Sequence, residues 1–531
     1  MLGSLTVNRP LDMPGQFLLA KAEVPLLASW SKQQIGPWIL HWHPCLPVTE
    51  IRSKVGIHVG WLMGLALSTE GIALPSVWHL PFDCDEVAAA DRFESELDSL
   101  GGRFAAVFLT SQNKRFYLDA SGSLAAVYCQ DRQAIASSCN LIPEIGDMHQ
   151  DLVLVRAFEL SQRDGYFPFG LTPWFHITRL LPNHYLDLSS WTTERHWPKS
   201  RMGDCIGNPE ETVRDIAALI EAFISGVAKL APLQIPLTAG YDSRVLLACS
   251  RPSLPSIRFT TTAIPDFSAR VDCASGLRIA KRFDLDYAVL TWRDATSEEI
   301  EKWLYRTGNC VVDRITRGTA TDEQLDPTRI TLLGISGEIG RGYYWQPDDF
   351  PLRPLSCDEL LRRFHFPAVD VVLDKASDWI DRLPASNLLE QLDLFAIEQR
   401  LGCWAGPSMY GPTRARFVTY PFNSKRVFEK MLNLPCNYRK EYRLPKDLIR
   451  LKWPELLEFP FNEPFGLLKL QSRTRRSLTN LRTAAGNLGA RKIKSILVHS
   501  MGSHDEPSTA ESERLLPVHS GGRGVELKSK I

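Results

Sequence analysis

The sequence predicts an α/β protein in which a β-rich amino-terminal domain precedes a parallel-sheet α/β domain with helical additions. Three observations predict it. Residues 1 to about 200 carry short β-rich runs separated by turns, a long helical stretch follows, and from Pro232 short apolar runs alternate with helical ones. Strands alternating with helices argue for a parallel sheet, and such sheets bind ligands beyond the carboxyl ends of their strands.

Taken in order, "RFAAVFLT" (103–110) and "RFYLDASGSLAAVYC" (115–129) are apolar, β-rich runs joined by "SQNK", the pattern of a hairpin. A second turn sits at Ala120-Ser121-Gly122. The stretch from Cys205 to Pro232 is periodic as a helix, opens with acidic residues and closes near Lys229, so charge suits both ends. It connects the two domains. "LQIPL" (233–237) is a buried strand, and "DSRVLLACS" (242–250) begins a helix. "SIRFTTT" (256–262) is the next strand, 268–283 a helix, 286–292 a strand, and 329–334 a strand ending in Gly334. Residues 357 to about 435 are mainly helical. The expected domains are therefore 1–205, 206–470, and a tail over 471–531. Within the tail, residues 471–495 carry seven basic side chains and no acidic one, and the remainder is polar and rich in Gly and Ser, a composition expected of disorder.

Composition narrows the function. The chain has 531 residues and is 44% apolar, enough for a large core. Lys plus Arg equals Asp plus Glu, so neither nucleic acid nor an anionic membrane is indicated as a partner. Eleven cysteines lie far apart without Cys-x-x-Cys or zinc spacing, which reads as reduced thiols in a cytoplasmic protein. His41 and His43 stand near Cys45, but no second ligand cluster answers them, and they read as structural or surface residues. The start has no signal-peptide pattern, and the most apolar window is broken by Ser68, Thr69 and Glu70, too short to span a bilayer.

The stretch 235–250, "IPLTAGYDSRVLLACS", carries the chemistry. A strand-to-helix turn of small residues exposes successive backbone N–H groups, and the helix adds its N-terminal donors and positive dipole end. Together they suit phosphate. Leu237 ends the strand, Thr238 and Ser243 add hydroxyls, Ala239 and Gly240 permit close approach, and Tyr241 stands between them and the helix that begins at Asp242. Asp242 is an odd neighbour for an anion unless a divalent cation lies between them, and magnesium bridges carboxylate and phosphate oxygens well. The loop therefore reads as a cradle for the pyrophosphate part of Mg-ATP. The Walker A spacing is absent.

The loop resembles the Ser-Gly-Gly-x-Asp-Ser loop of ATP pyrophosphatases. "LLGISGEIGRGYYW" (332–345) resembles the second loop of the asparagine synthetase family, Gly334, Gly337, Gly342 and Tyr343 fitting with Ser336 between the first two glycines and Glu338 at the usual Asp. "VDCASGLRIAKRFDLDYAVL", "LFAIEQRLGCWAG", "YPFNSKRVFEKMLNLP" and "LPKDLIRLKWPELL" resemble later family segments, with Lys446 and Arg450 in a Lys-x-x-x-Arg pattern. "GGRFAAVFL" and "RFYLDASGSLAAVYC" resemble the glutaminase-like domain, Asp119 and Gly122 matching its Asp-x-x-Gly turn. The resemblance covers about residues 85 to 460, its motifs in the family's order.

That resemblance implies an Ntn-hydrolase-like first domain and a HUP-like ATP pyrophosphatase second domain. It implies that ATP adenylates a carboxylate, releasing pyrophosphate, and that an amine then displaces AMP to give an amide. Asp242 and Glu338 are implied magnesium ligands, and Lys446 the cation at the acyl-transfer oxyanion. Two departures qualify this. Glutamine-dependent members place a nucleophilic cysteine at the amino terminus, whereas here position 2 is Leu and the first cysteine is Cys45. No glutaminase activity is therefore expected, as in β-lactam synthetase and the lasso-peptide cyclases. Ile335 stands where the family has Glu, Tyr or His, and cannot handle a proton; Tyr343, Tyr344 or Glu338 are the substitutes at hand. The expected function is an AMP-forming amide ligase without glutaminase activity, its substrate a small molecule or peptide, with a precursor peptide and a protease as possible partners of a lasso-type cyclase. Two alternatives stay open: an asparagine synthase fed by ammonia or by a partner, and a non-catalytic nucleotide-binding scaffold.

Overall fold

Two sheets stack in the amino-terminal half because their strands alternate, one antiparallel and one antiparallel except for the parallel pair Val48–Arg52 and Val77–His79. In the computed structural model, which describes residues 13–21, 29–142 except 85 and 87, 149–160, 164–199, 207–349, 353–385, 387–412, 417–465 and 468–469, Phe17–Ala20 pairs with Trp38–Trp42 and Ala134–Ala136 in a six-stranded sheet. The expected hairpin forms between Gly101–Leu109 and Lys114–Leu118, inside a seven-stranded sheet that also holds His58–Leu67. Phe17, Leu19, Trp38 and Leu40 face Trp61, Met63, Ala105, Val107 and Phe116 across a shared core. The alternate residues Leu62, Ala106, Phe108 and Tyr117 point the other way, onto Phe93 and Leu97 of the helix Ala89–Asp98. Period-two patterning is what allows both faces to be buried, and each large apolar side chain so buried contributes roughly 1.5–3 kcal/mol.

The linking helix spans Pro209–Ala228, with Asn208 capping the N–H of Glu210, Pro209 in the first turn, and Glu210 and Glu211 beside the positive dipole end. A five-stranded parallel sheet follows. Its spatial order is Tyr287–Thr291, Ile257–Ala263, Leu233–Pro236, Ile330–Leu332, Val418–Thr419. The first strand in sequence is thus central, with the next two on one side and the last two on the other. The chain reverses its winding between Leu233–Pro236 and Ile330–Leu332, and a crevice opens beyond their carboxyl ends.

The described residues up to Phe459 form one compact unit, and the few described residues from Pro460 onward belong to a second. Within the first, segments from the two halves interleave: Gly165–Tyr166 pairs with Val311–Val312, and Asn423 donates to Gly102 O, Asp119 and Ser123. Asp119 of the Asp-x-x-Gly turn is a buried anchor, accepting from the N–H groups of Phe104, Ser121, Ser123 and Leu124. The expected boundary at 205/206 and the basic stretch 471–495 lie outside the described residues, as does Leu2. The ten described cysteines are free thiols. No described helix is long and apolar enough to cross a membrane.

Candidate functional site

The turn after the central strand is held in shape by its own polar groups. The N–H of Thr238 donates to the Ser243 hydroxyl at 3.1 Å, and the two hydroxyls lie 3.0 Å apart. Gly240 N–H donates to Thr238 Oγ1 at 3.1 Å, and Ala239 N–H to Asp272 Oδ1 at 2.9 Å. Buried Arg244 holds the Ala239 carbonyl, and Leu237 is bonded through N–H to Thr260 O and through its carbonyl to the Thr261 hydroxyl. The backbone donors at 238–240 that read as a phosphate cradle are therefore satisfied internally, by Thr238, Ser243 and Asp272. What faces outward is the first turn of the helix Tyr241–Cys249, whose leading N–H groups have no acceptor within the helix.

The second loop closes on this turn through glycines. A Cβ at Gly334 would stand 2.9 Å from the Asp242 Cβ, and one at Gly337 would stand 2.8 Å from Asp242 Oδ1. Neither position accommodates a side chain without displacing Asp242. Between them Ser336 is buried at φ 80° with no partner for its hydroxyl. A non-glycine residue in the left-handed region is strained, at a position where glycine would be relaxed. Glu338 follows in a 3₁₀ turn, Gly337–Arg341, and is buried.

Two arginines lie on the two carboxylates. Arg341 grips Asp242 in fork geometry, Nη2 to Oδ2 at 2.8 Å and Nη1 to Oδ1 at 3.0 Å. Arg400 approaches Glu338 Oε1 at 3.5 Å and lies over the rings of Tyr343 and Trp404, 4.6 and 4.5 Å from their centroids. Arg400 belongs to a π-helical stretch, Ala396–Ala405, a rare winding that is concentrated at functional sites. Burial drives the Asp242 carboxyl up to about 6; Arg341 and Arg400 oppose this and the charge of Glu338 reinforces it. Burial likewise raises Asp272, against the pull of the Ala239 N–H, and raises the Tyr344 phenol.

Lys446 is half-buried on the helix Arg443–Lys452. That helix packs on Tyr241–Cys249 and on the Gly337–Arg341 turn, where Leu444 abuts Gly340. Tyr241 stacks loosely with Tyr442, ring centroids 5.5 Å apart. The fold thus gathers Thr238, Ala239, Gly240, Asp242, Ser243, Gly334, Ser336, Gly337 and Glu338 at the switch point, and brings Tyr343 to them through Arg400. Lys446 reaches the same neighbourhood by its helix but forms no hydrogen bond or ion pair with Asp242 or Glu338 among the described residues. Sequence reasoning missed Arg341, Arg400 and the contact of Asp272. The first sits in a glycine-rich turn where an arginine reads as solvated charge, and the others are far from their partners in sequence.

A magnesium ion fits this donor set. Two carboxylates are enough, because magnesium takes one or two from the protein and fills its shell with water and phosphate oxygens. Arg341 and Arg400 supply positive charge to the two acids in this structure, the charge that a bound cation would supply in their place. No group of three or more acidic, His or Cys side chains suited to a metal occurs among the described residues. No protein-family model and no curated protein matches the chain.

Proposed function

We propose that the chain is an ATP-dependent, AMP-forming amide ligase of asparagine synthetase type without glutaminase activity. On this reading the stacked sheets correspond to an Ntn-hydrolase-like domain and the parallel sheet to a HUP-like ATP pyrophosphatase domain. One observation carries it: Asp242 and Glu338 arise from the ends of adjacent parallel strands on either side of the switch point, and the helix bearing Lys446 packs over both. Bound magnesium would neutralise phosphate charge and favour departure of pyrophosphate. Asp242 and Glu338 would hold it. The first turn of the Tyr241–Cys249 helix and the Thr238 and Ser243 hydroxyls would receive phosphate oxygens. Arg341, freed from Asp242, is long enough to turn to a phosphate. Lys446 would stabilise the oxyanion of acyl transfer, and Tyr343 would orient the nucleophile beside Arg400.

Exchange of labelled pyrophosphate into ATP, with Mg²⁺ and candidate carboxylates including small peptides, tests the reading; carboxylate-dependent exchange supports it. A second reading, a nucleotide-binding scaffold, is favoured by Ile335 and by the arginines already seated on both acids. ATP binding with no exchange for any carboxylate selects it.

The pH dependence follows from Asp242. Its folded value lies near 6, above the ordinary carboxyl range, so its proton leaves as pH rises through about 6. A step that needs the anion gains rate through that interval and then levels off, and kcat/KM reports this for the free protein. Arg341→Met removes a group that holds the value down, so the rising limb moves to higher pH. A limb unchanged in the variant contradicts the assignment.

A further inference from the structure

Two thiols far apart in sequence meet inside the compact unit, and the ligase reading uses neither. Cys139 opens the 3₁₀ turn Cys139–Leu141, just after the strand Ala134–Ala136 of the six-stranded sheet. Cys310 lies 171 residues further on, directly before the strand Val311–Val312. Their sulfurs are 3.7 Å apart, and the two residues are 3% and 1% exposed.

The backbone on both sides of this contact is fixed. Asn140 Nδ2 donates to Tyr305 O at 2.6 Å, and Gln16 Nε2 donates to Arg306 O at 3.1 Å. Gly308 approaches so closely that a Cβ there would stand 3.0 Å from Cys139 N. Gly308 and Asn309 turn the chain into Cys310 at positive φ, and half-buried Asn309 leaves Cys310 one residue from the surface, which favours a small oxidant over a bulky one. A disulfide needs the sulfurs to close to about 2.05 Å, within the sweep of rotation about the Cα–Cβ bonds.

Charge poises the pair. Burial pushes the Cys310 thiol up, but the Cys139 thiol and the Arg179 guanidinium pull it down to about 7. Buried Arg179 is flanked by Cys310, Cys403 and Cys139. Its Nε and Nη1 have no hydrogen-bond partner, and it forms no ion pair with a carboxylate among the described residues. Burial and the neighbouring Cys310 both push Cys139 up, so it stays protonated. A thiolate beside a protonated thiol is the arrangement from which a disulfide forms.

We propose that Cys139 and Cys310 are a redox couple that closes to a reversible disulfide when a small hydroperoxide oxidises Cys310. The Cys310 proton passes to solvent and its sulfur attacks a peroxide oxygen. The S–O bond forms, the O–O bond breaks, and the departing hydroxide takes a proton from solvent. Cys139 sulfur then attacks the Cys310 sulfenic acid, the S–S bond forms and the S–O bond breaks. The hydroxyl leaves with the Cys139 proton as water. Two thiols lose two electrons and hydrogen peroxide gains them, giving one disulfide and two waters. The bond ties the six-stranded sheet to the segment entering Val311–Val312, and closing so long a loop restrains the unfolded chain more than the folded one. This is independent of the ligase reading.

The test treats the full chain with hydrogen peroxide, denatures it in iodoacetamide and maps tryptic peptides by mass. Cleavage at Arg132, Arg156, Arg306 and Arg314 isolates each of the two cysteines. Cys139 and Cys310 are expected to leave the alkylated fraction together, as one cross-linked peptide that dithiothreitol separates. Cys249, pushed by burial up to about 12, stays reduced as the control. The oxidised protein is expected to melt about 3 °C or more above the reduced one, and Cys310→Ala abolishes both the cross-link and the shift. Should that variant fail to fold, the cross-link and the melting shift of the native protein decide alone. Reduced Cys139 and Cys310 after exposed Cys45 is fully oxidised, or a cross-link from either to another cysteine, overturns the proposal. A disulfide that leaves the midpoint unchanged or lower overturns its role as a staple.

Discussion

Asp242→Asn lowers carboxylate-dependent pyrophosphate exchange on the order of a thousandfold, about 4 kcal/mol of transition-state stabilisation, and leaves the fold intact. The side chain keeps its shape beside Gly334 and Gly337 but loses the charge that a cation and Arg341 require. Stability separates this from a folding defect. The Asp242 value is raised on folding, so its ionised form is destabilising: the native state is favoured at low pH and that advantage is lost as pH rises from the unfolded value through about 6. Removing the charge therefore does not weaken the fold at neutral pH beyond the loss of the Arg341 pair, a partly exposed contact. An exchange rate within tenfold of the native protein contradicts the role of Asp242.

Glu398→Ala destabilises the protein by about 3–5 kcal/mol, the largest effect expected from a single truncation. Glu398 is fully buried and receives both Arg195 nitrogens at 2.5 and 2.9 Å, Asn183 Nδ2 at 3.1 Å and Trp379 Nε1 at 2.8 Å. Truncation leaves the Arg195 guanidinium with the Trp197 carbonyl in place of a carboxylate, and removes the acceptor of Asn183 Nδ2 and Trp379 Nε1 in a low-dielectric interior. Burial works against the anion, but Arg195 and the other donors hold its value below the usual carboxylate range. Its stabilising effect is thus present above the ordinary Glu range and lost as pH falls through the lowered value. Denaturant unfolding of the native protein and the variant at pH 7 measures the truncation, and a change under 1 kcal/mol contradicts it. Glu398 also stands two residues before Arg400 in the π-helical stretch. Activity should therefore fall more than the unfolded fraction explains.

Much of the fold was legible because the patterns were local. The Gly101–Leu109 hairpin, the capped Pro209–Ala228 helix and the parallel strands at 233, 257, 287 and 330 follow from alternation, capping and breaker residues. The short Val418–Thr419 strand, lying among residues that read as helical, was not, because two residues carry no period and pairing alone makes them a strand. At the site, the Thr238–Ser243 turn and the glycines around Glu338 were legible since both answer backbone demands. Arg341 and Arg400 were not. Their meaning depends on which carboxylate lies opposite, a matter of tertiary distance.

Equilibrium binding of an ATP analogue with a non-cleavable α,β-bridge, with and without Mg²⁺, tests most directly whether the crevice beside Asp242 and Glu338 is a nucleotide site. The expected result is Mg²⁺-dependent binding that Asp242→Asn weakens at least tenfold. Binding that is absent, or that neither Mg²⁺ nor Asp242→Asn changes, would contradict it.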